Sequence, residues 1–165
     1  MRETEDIKSI EQSKSYDQTP YPGHAYRETH PDHIAAIAVL YGMSPPPVQT
    51  CRVLEIGCGD GNNLIPMAVS LPNSDFVGID LSAVAIDKGR AIAEQIQLPN
   101  VRLECRDLLD DLSEFGRFDF IIAHGFYSWV PQHVQERMLS VCDQHLSSNG
   151  IAFVSYNTYP GCHLR

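Results

Sequence analysis

The 165-residue sequence lacks the features that mark several common classes of protein. It has no basic run, since 12 Lys and Arg stand against 21 Asp and Glu, and the net charge is −9. Counterion release at phosphates needs clustered positive charge, so nucleic acid is disfavoured as a partner. The longest apolar stretch, residues 34–43, is about half the ~20 residues that a membrane-spanning helix needs, and no secretory signal opens the chain. We therefore expect no membrane association.

Cysteine is scarce and irregularly placed. The five cysteines are odd in number and widely spaced, and no two form a CxxC pair. This spacing predicts neither a disulfide framework nor a zinc site, and we expect no metal. A reducing cytoplasm is the simplest location. The length suits one domain, and 43% apolar residues are enough for a core.

The first 50 residues divide into two parts. Residues 1–30 are polar and irregular, which predicts an N-terminal arm. The segment 29–32 then offers a capping residue, a proline suited to a first helical turn and an acid for the positive end of the helix dipole. Residues 31–50 are therefore predicted to form a helix ending at Gly42 and a proline-rich connector.

From Cys51 to the end of the chain we expect one domain, residues 51–165. Short β-branched apolar runs alternate there with stretches of helical period, which is typical of a parallel sheet with helices on both faces. Five strands are predicted, at residues 52–56, 75–80, 101–106, 118–124 and 151–156. Helices are predicted at 63–70, after the capping residue Ser82, and from Pro131 to a turn at residues 149–150. The link from 107 to 118 is too short for a packed helix, so we expect a loop with one or two helical turns around 111–115.

The strongest signal is a glycine-rich turn after the first strand, with the sequence VLEIGCGDGN at residues 53–62. Gly57, Gly59 and Gly61 follow a G-x-G-x-G spacing instead of the G-x-G-x-x-G of dinucleotide-binding turns. Glu55 would place a negative charge beside the ligand, which suits an amino group and repels phosphate. We therefore expect a ligand other than a dinucleotide.

Acidic residues also end the next two strands. Asp80 closes the second strand, where a carboxylate can accept hydrogen bonds from both hydroxyls of a ribose, and Asp107 closes the third. A single acid of this kind can simply cap a helix or face solvent. Three of them, Glu55, Asp80 and Asp107, are expected on one rim beside the glycine turn, where open α/β sheets hold ligands.

These features resemble the class I S-adenosylmethionine-dependent methyltransferases over residues 51–156. Segments at 16–22, 29–31, 45–47, 55–62 and 123–131 are more narrowly similar to bacterial methyltransferases with a C-terminal regulatory domain, a group that includes rickettsial protein-lysine methyltransferases. The resemblance implies a Rossmann-like fold, S-adenosylmethionine as cofactor, S-adenosylhomocysteine as product and methylation of protein lysine. The alternatives are a small-molecule methyltransferase and a regulatory module that binds the cofactor without catalysis.

The resemblance also implies which residues bind the cofactor. The glycine turn holds the methionine part, Asp80 the ribose hydroxyls and Asp107 the adenine amino group. The full predicted set is Tyr21, His30, Glu55, Ile56, Gly57, Cys58, Gly59, Asn62, Asn63, Asp80, Leu81, Ser82, Asp107, Leu108, His124 and Gly125.

The segment after the fourth strand is expected to form a wall of the acceptor pocket, with His124, Tyr127 and Trp129 as the catalytic candidates. Aromatic faces there could stabilise a sulfonium or an ammonium by cation–π contact, or they could serve packing alone. His124 is expected to position the cofactor or to accept a proton. The arm, through Tyr21 and His30, is expected to fold over the site as a lid, and a purely structural arm is the alternative.

The end of the chain predicts an incomplete sheet. In this family the sheet usually ends in an antiparallel hairpin beside the fifth strand, yet few residues follow Tyr156. We therefore expect the final antiparallel strands to be missing. The last strand would then be an exposed apolar edge, through which the chain is expected to dimerise or aggregate.

Overall fold

The computed structural model of the protein describes residues 23–158. Predictions that concern residues 1–22, including the lid role of Tyr21, lie outside the described residues. The described chain forms one five-stranded sheet with four α-helices. This arrangement confirms the predicted α/β class.

The elements follow the predicted order. The strands are β1 (Arg52–Ile56), β2 (Asp75–Asp80), β3 (Val101–Cys105), β4 (Phe118–Ala123) and β5 (Leu146–Val154). The helices are α1 (Pro31–Leu40), α2 (Leu64–Ser70), α3 (Ala83–Gln95) and α4 (Gln132–His145). The link between β3 and β4 holds one short 3-10 helix, Ser113–Phe115, as its length predicts.

All neighbouring strands pair in parallel, in the order β3-β2-β1-β4-β5. Because strands of one direction end at one edge, the segments that follow β1 to β4 meet along the carboxyl rim of the sheet. β1 lies at the centre, with Glu55 opposite Gly78 on β2 and Ile122 on β4. The residues after β1 are therefore surrounded by both neighbouring strand ends.

The two faces of the sheet carry separate apolar cores. Side chains alternate along a strand, so Val53 of β1 lies in one core and Leu54 in the other. The first core includes residues of α1, α2 and α3, and the second includes residues of α4 and of the β3–β4 link. Helices thus cover both faces, as predicted.

Two helix starts show how the caps work. Ser82 Oγ accepts a hydrogen bond from Ala85 N at 3.2 Å, which confirms the predicted cap of α3. At α1, the capping acceptor is Nδ1 of His30, which lies 3.2 Å from Asp32 N. A proline follows at the first helical position, where the missing N–H is not needed.

The start of the last strand differs from the prediction. α4 ends at His145, and β5 begins at Leu146 instead of residue 151. Leu146 pairs with Phe118 and Ile151 pairs with Phe120, so the intervening residues form an irregularity in the strand where a turn was expected. Gly150 makes this local fold feasible, because a Cβ there would lie 2.9 Å from the Leu146 side chain and 3.0 Å from Phe118 O.

No helix between residues 23 and 158 has both the length and the apolar character required to cross a membrane. Within the same range, no three His, Cys, Asp or Glu side chains are grouped so that they could hold a metal ion.

Candidate functional site

The candidate site lies along the carboxyl rim of the sheet. The structure brings most of the predicted cofactor-binding residues to the ends of β1 to β4 or just beyond them. These residues are Glu55, Ile56, Gly57, Cys58, Gly59, Asn62, Asn63, Asp80, Leu81, Ser82, Asp107, Leu108, His124 and Gly125. The structure therefore brings these residues to one rim, and their binding roles stay predictions.

The glycine turn after β1 has the backbone conformation that its sequence predicts. Gly57, Gly59 and Gly61 have φ values of 72°, 55° and 73°, a region that side chains disfavour. A Cβ on Gly57 would lie 2.7 Å from the ring of Phe126, whereas a Cβ on Gly59 would meet no atom of residues 23–158 within 4 Å. The turn thus packs against the segment after β4 and leaves its Gly59 side open to a ligand.

The carboxylate of Glu55 is buried beneath this turn, on the face of the sheet that carries α2. The residue is 4% exposed, and its Oε1 accepts a hydrogen bond from Asn63 Nδ2 at 2.6 Å. Its other oxygen, Oε2, is buried and has no hydrogen-bond partner among the described residues. Burial, with a smaller contribution from the charge of Asp80, outweighs the Asn63 bond and raises the pKa of Glu55 from 4.5 to about 7.

Asn63 links this carboxylate to the end of the N-terminal arm. Its Oδ1 accepts from Tyr26 N at 2.9 Å, and its Nδ2 also lies 3.1 Å from Thr29 Oγ1. Thr29 is fully buried, and its hydroxyl donates to Tyr26 O at 2.8 Å. Tyr26 N and the Thr29 hydroxyl are therefore bonded to the same amide that holds Glu55.

Asp80 fastens the turn from the neighbouring strand. Its Oδ2 accepts from Gly59 N at 2.8 Å, and its Oδ1 accepts from Ser82 N at 2.9 Å. Each carboxylate oxygen has two lone pairs, so both oxygens can accept a further hydrogen bond. Asp80 can thus hold the protein backbone and a ligand at the same time.

Asp107 lies on the next strand end, two residues beyond β3. Its Oδ1 accepts from Leu109 N at 2.9 Å, which closes a local turn. Its Oδ2 carries no hydrogen bond from the described part of the chain. Oδ2 therefore has both of its lone pairs for a ligand, and Oδ1 has one.

His124 follows β4 and is enclosed by aromatic rings. Its ring lies 4.0 Å from that of Tyr26 and 6.1 Å from that of Phe153, centroid to centroid. Its Nδ1 is buried without a hydrogen-bond partner in residues 23–158. Burial lowers the pKa of His124 from 6.5, although the nearby charge of Glu28 opposes the shift, so the ring is neutral at pH 7.

The predicted acceptor wall continues from His124 into a 3-10 helix, Tyr127–Trp129. Trp129 is 63% exposed, and the ring of Tyr127 lies 6.5 Å from that of Tyr156. This aromatic surface is therefore partly open to solvent.

His30 does not join the site. Its Nε2 lies 3.0 Å from Ser70 Oγ, at the last residue of α2, whereas the cofactor rim lies at the first residue of that helix. The ring instead caps α1, so the contacts of His30 give no support to its predicted cofactor role. Sequence reasoning also missed Tyr26 and Thr29, which reach the rim by bonds to a residue more than thirty positions away.

Comparison with known proteins gives the family. Residues 54–152, more than half of the chain, match the model of a methyltransferase domain. The chain belongs to this methyltransferase family. An uncharacterised protein of Rickettsia prowazekii is 42% identical over 151 residues, which are 92% of this chain and 60% of that protein. The trans-aconitate 2-methyltransferase of Deinococcus radiodurans is 33% identical over 103 residues, covering 62% of this chain and 36% of the enzyme.

Solved structures agree with the methyltransferase fold. PKMT2 from Rickettsia typhi in complex with AdoHcy superposes with a TM-score of 0.84 at 43% identity, covering 88% of this chain and 28% of that one. Coclaurine N-methyltransferase superposes with a TM-score of 0.59 at 15% identity, over 82% of this chain and 38% of that one, which shows the fold alone. The methyltransferase chain thus spans 60% or less of the length of these relatives.

The raised pKa of the buried Glu55 carboxyl group makes folding stability depend on pH, and this dependence can be measured. Between about pH 4.5 and 7 the unfolded chain has lost the Glu55 proton and the folded chain still holds it, so folding stability falls as the pH rises. The shift corresponds to about 3 kcal/mol once both states are ionised. Glu55→Gln keeps an acceptor for Asn63 and cannot ionise. Its free energy of unfolding should therefore rise relative to that of the unaltered protein between about pH 5 and 8, by up to about 3 kcal/mol.

Urea denaturation at both pH values measures this difference, and Glu94→Gln, at an exposed position on α3, is the matched control. Parallel stability profiles for Glu55→Gln and the unaltered protein would show that the carboxylate of Glu55 is not a buried group with a raised pKa.

Proposed function

We propose that this methyltransferase chain binds S-adenosylmethionine and directs its methyl group to an acceptor, with a protein lysine side chain as the first candidate. The observation that carries the proposal is Oε2 of Glu55, which is buried beneath the glycine turn and has no hydrogen-bond partner in residues 23–158. A buried carboxylate oxygen calls for a cationic or hydrogen-bonding partner, and the cofactor has an ammonium group.

The strand order places three acidic residues in a row along the rim, and each is proposed to bind a different part of the cofactor. Glu55 on β1 would accept from the ammonium, Asp80 on β2 from the ribose hydroxyls and Asp107 on β3 from the adenine amino group. Asp80 retains lone pairs on both oxygens, and Asp107 retains an oxygen without a bond from residues 23–158. When bound, the cofactor supplies an electrophilic methyl group on its sulfonium, so the protein has to orient the acceptor and exclude water.

The acceptor side is proposed to lie along His124, Tyr127 and Trp129. The exposed ring of Trp129 can contact an incoming side chain, and a cationic side chain would gain from its π face. Burial lowers the pKa of His124 and so favours the neutral imidazole, the form that can accept a proton from an ammonium acceptor, although it is then a weaker base. Its close contact with the Tyr26 ring supports the other predicted role, in which His124 positions the cofactor.

The arm is proposed to cover the site, although through residues other than those expected. Tyr26 contacts His124 with its ring and Asn63 with its backbone N–H. A Cβ on Gly23 would lie 2.7 Å from Asn62, so the described start of the arm lies directly on the glycine turn. These contacts support a lid over the methionine part of the cofactor, since they connect the arm both to the turn after β1 and to His124 after β4.

Relatives support different acceptors. The similarity to PKMT2 from Rickettsia typhi favours the protein acceptor that the narrower sequence resemblance implies. The similarity to trans-aconitate 2-methyltransferase supports the small-molecule alternative. A cytoplasmic location is proposed because Cys51, Cys58 and Cys142 are buried free thiols.

The function is tested by transfer of label. The protein is incubated with S-adenosylmethionine labelled in its methyl group and with a bacterial lysate, and proteins and small molecules are then separated. Label in lysine residues of protein supports the first candidate, and label confined to small molecules supports the alternative. Cofactor binding without transfer to either fraction would identify a regulatory module and contradict the enzymatic proposal.

Cofactor contact is tested separately by Asp80→Asn. The substitution keeps the size of the side chain but removes the charge that the ribose hydroxyls and two backbone N–H groups share. Hydrogen bonds to a charged group are worth about 1.5 to 3 kcal/mol, so the affinity for S-adenosylhomocysteine should fall roughly tenfold or more. Titration calorimetry measures the change.

Asp75→Asn is the matched control for this measurement, because Asp75 is exposed at the opposite end of the same strand. Unchanged affinity in a folded Asp80→Asn protein would exclude Asp80 from the cofactor site.

Self-association through β5 is the proposed homomeric contact. β5 pairs with β4 on one side, and no strand of residues 23–158 pairs with its other side. An open strand edge is a template for pairing with a second copy, and a charge on the edge opposes it. Ala152 of β5 is exposed, so Ala152→Lys should lower the apparent mass of a self-associating chain in light scattering. Ala36→Lys, at an exposed position on α1, is the control, and a monomer at high concentration in the unaltered protein contradicts the proposal.

A further inference from the structure

Hydrogen bonds within the Asp107 turn set its shape, and contacts with other elements help to set its position. Leu109 N donates to Asp107 Oδ1 at 2.9 Å, and Asp110 N donates to Asp107 O at 3.1 Å. Both bonds lie within the turn, so they define its form and not its position on the domain. β3 places the start of the turn, since Arg106 N donates to Asp80 O at 3.0 Å, and the position of its far side has to come from contacts with other elements.

Arg137 on α4 supplies those contacts. Its Nε donates to Leu108 O at 3.1 Å, and its Nη2 donates to Asp110 O at 2.8 Å. The guanidinium is planar, with its donors in a fixed fork, so two carbonyls held by one such group have a fixed separation and direction. Leu108 is 5% exposed and packs in the α4 core, which anchors the turn between the two bonds.

A second side chain of α4 holds the other wall of the site in a similar way. Gln135 Nε2 donates to Tyr127 O at 2.8 Å and to Val130 O at 3.2 Å. Side chains two positions apart on a helix point to different sides, so Gln135 and Arg137 bond to different loops. Each such pair of bonds to two backbone carbonyls is called a clamp. Gln135 bonds to residues 127–130, the aromatic turn, and Arg137 bonds to the turn of Asp107.

We propose that Arg137 is a positioning residue that sets the direction of the Asp107 carboxylate and thereby the recognition of the adenine amino group. The proposal rests on the proposed binding of S-adenosylmethionine. Within residues 23–158 the hydrogen bonds of Arg137 go to two backbone carbonyls of the turn and not to Asp107 itself. Asp107 Oδ2 is the oxygen proposed to accept from the adenine amino group. Loss of the clamp therefore lowers selectivity for the amino group, in addition to any loss of affinity.

The test compares two ligands by calorimetry, S-adenosylhomocysteine and S-inosylhomocysteine, in which a carbonyl oxygen replaces the adenine amino group. The unaltered protein should prefer the adenine form. Arg137→Met should lower the affinity for S-adenosylhomocysteine about five- to tenfold and reduce the preference, because the bond from the amino group is lost only with that ligand. Arg137→Lys should restore part of the preference, since an ammonium can reach one carbonyl but not both in a fixed geometry.

Two further variants make the readout specific. Gln135→Met is the matched control, because it removes a similar clamp from the aromatic turn, and it should keep the preference of the unaltered protein. Asp107→Asn should reduce the preference by itself, and combining it with Arg137→Met should reduce the preference no further. If Arg137→Met does not fold, Arg137→Lys and Asp107→Asn carry the comparison.

The outcomes separate this inference from the proposed function. Binding of S-adenosylhomocysteine by the unaltered protein, with full preference retained in the Arg137 variants, overturns the positioning role alone. Equal loss of affinity for both ligands in Arg137→Met also overturns it, since that pattern indicates a general structural effect. Failure of the unaltered protein to bind S-adenosylhomocysteine overturns the proposed function, and the inference with it.

Discussion

The buried carboxylate of Glu55 is the constraint on which the rest of the site depends. A carboxylate without full hydrogen bonding is costly in the interior, and here one oxygen is bonded while the other has no partner in the described part of the chain. The Asn63 amide offsets part of the cost, and its remaining polar groups are satisfied by Tyr26 and Thr29 of the arm. The position of the arm is therefore tied, through one amide, to the group proposed to meet the cofactor ammonium.

The sheet positions the acidic residues of the site, and α4 positions the turns that flank them. The parallel order β3-β2-β1 sets three acidic residues along one rim, at spacings that the strands fix. α4 lies on the opposite face from Asn63 and holds the flanking turns through their backbone carbonyls. Contacts with the sheet and with α4 thus hold the turns of the rim in place. Within residues 23–158 no atom occupies the space where a Cβ of Gly59 would lie.

The sequence predicted the features that repeat along the chain and missed those that depend on single distant contacts. Strands β1 and β2 have the bounds that their apolar runs predict, and the alternate glycines have the expected positive φ. The roles of Tyr26 and Thr29 could not be predicted, because the bond from Tyr26 N to Asn63 spans 37 residues and leaves no periodic pattern. The start of β5 was wrong because the register change opposite β4 has no local signal apart from Gly150.

Proton release on ligand binding tests the central role of Glu55 most directly. Titration calorimetry with S-adenosylhomocysteine in buffers of different ionisation enthalpy gives the number of protons exchanged. Because the pKa of Glu55 is about 7 in the free protein and an ammonium favours the ionised form, binding should release most of one proton at about pH 6 and almost none at about pH 8. The release should disappear in Glu55→Gln. Binding without proton exchange at about pH 6, or the same exchange in Glu55→Gln, would contradict the account.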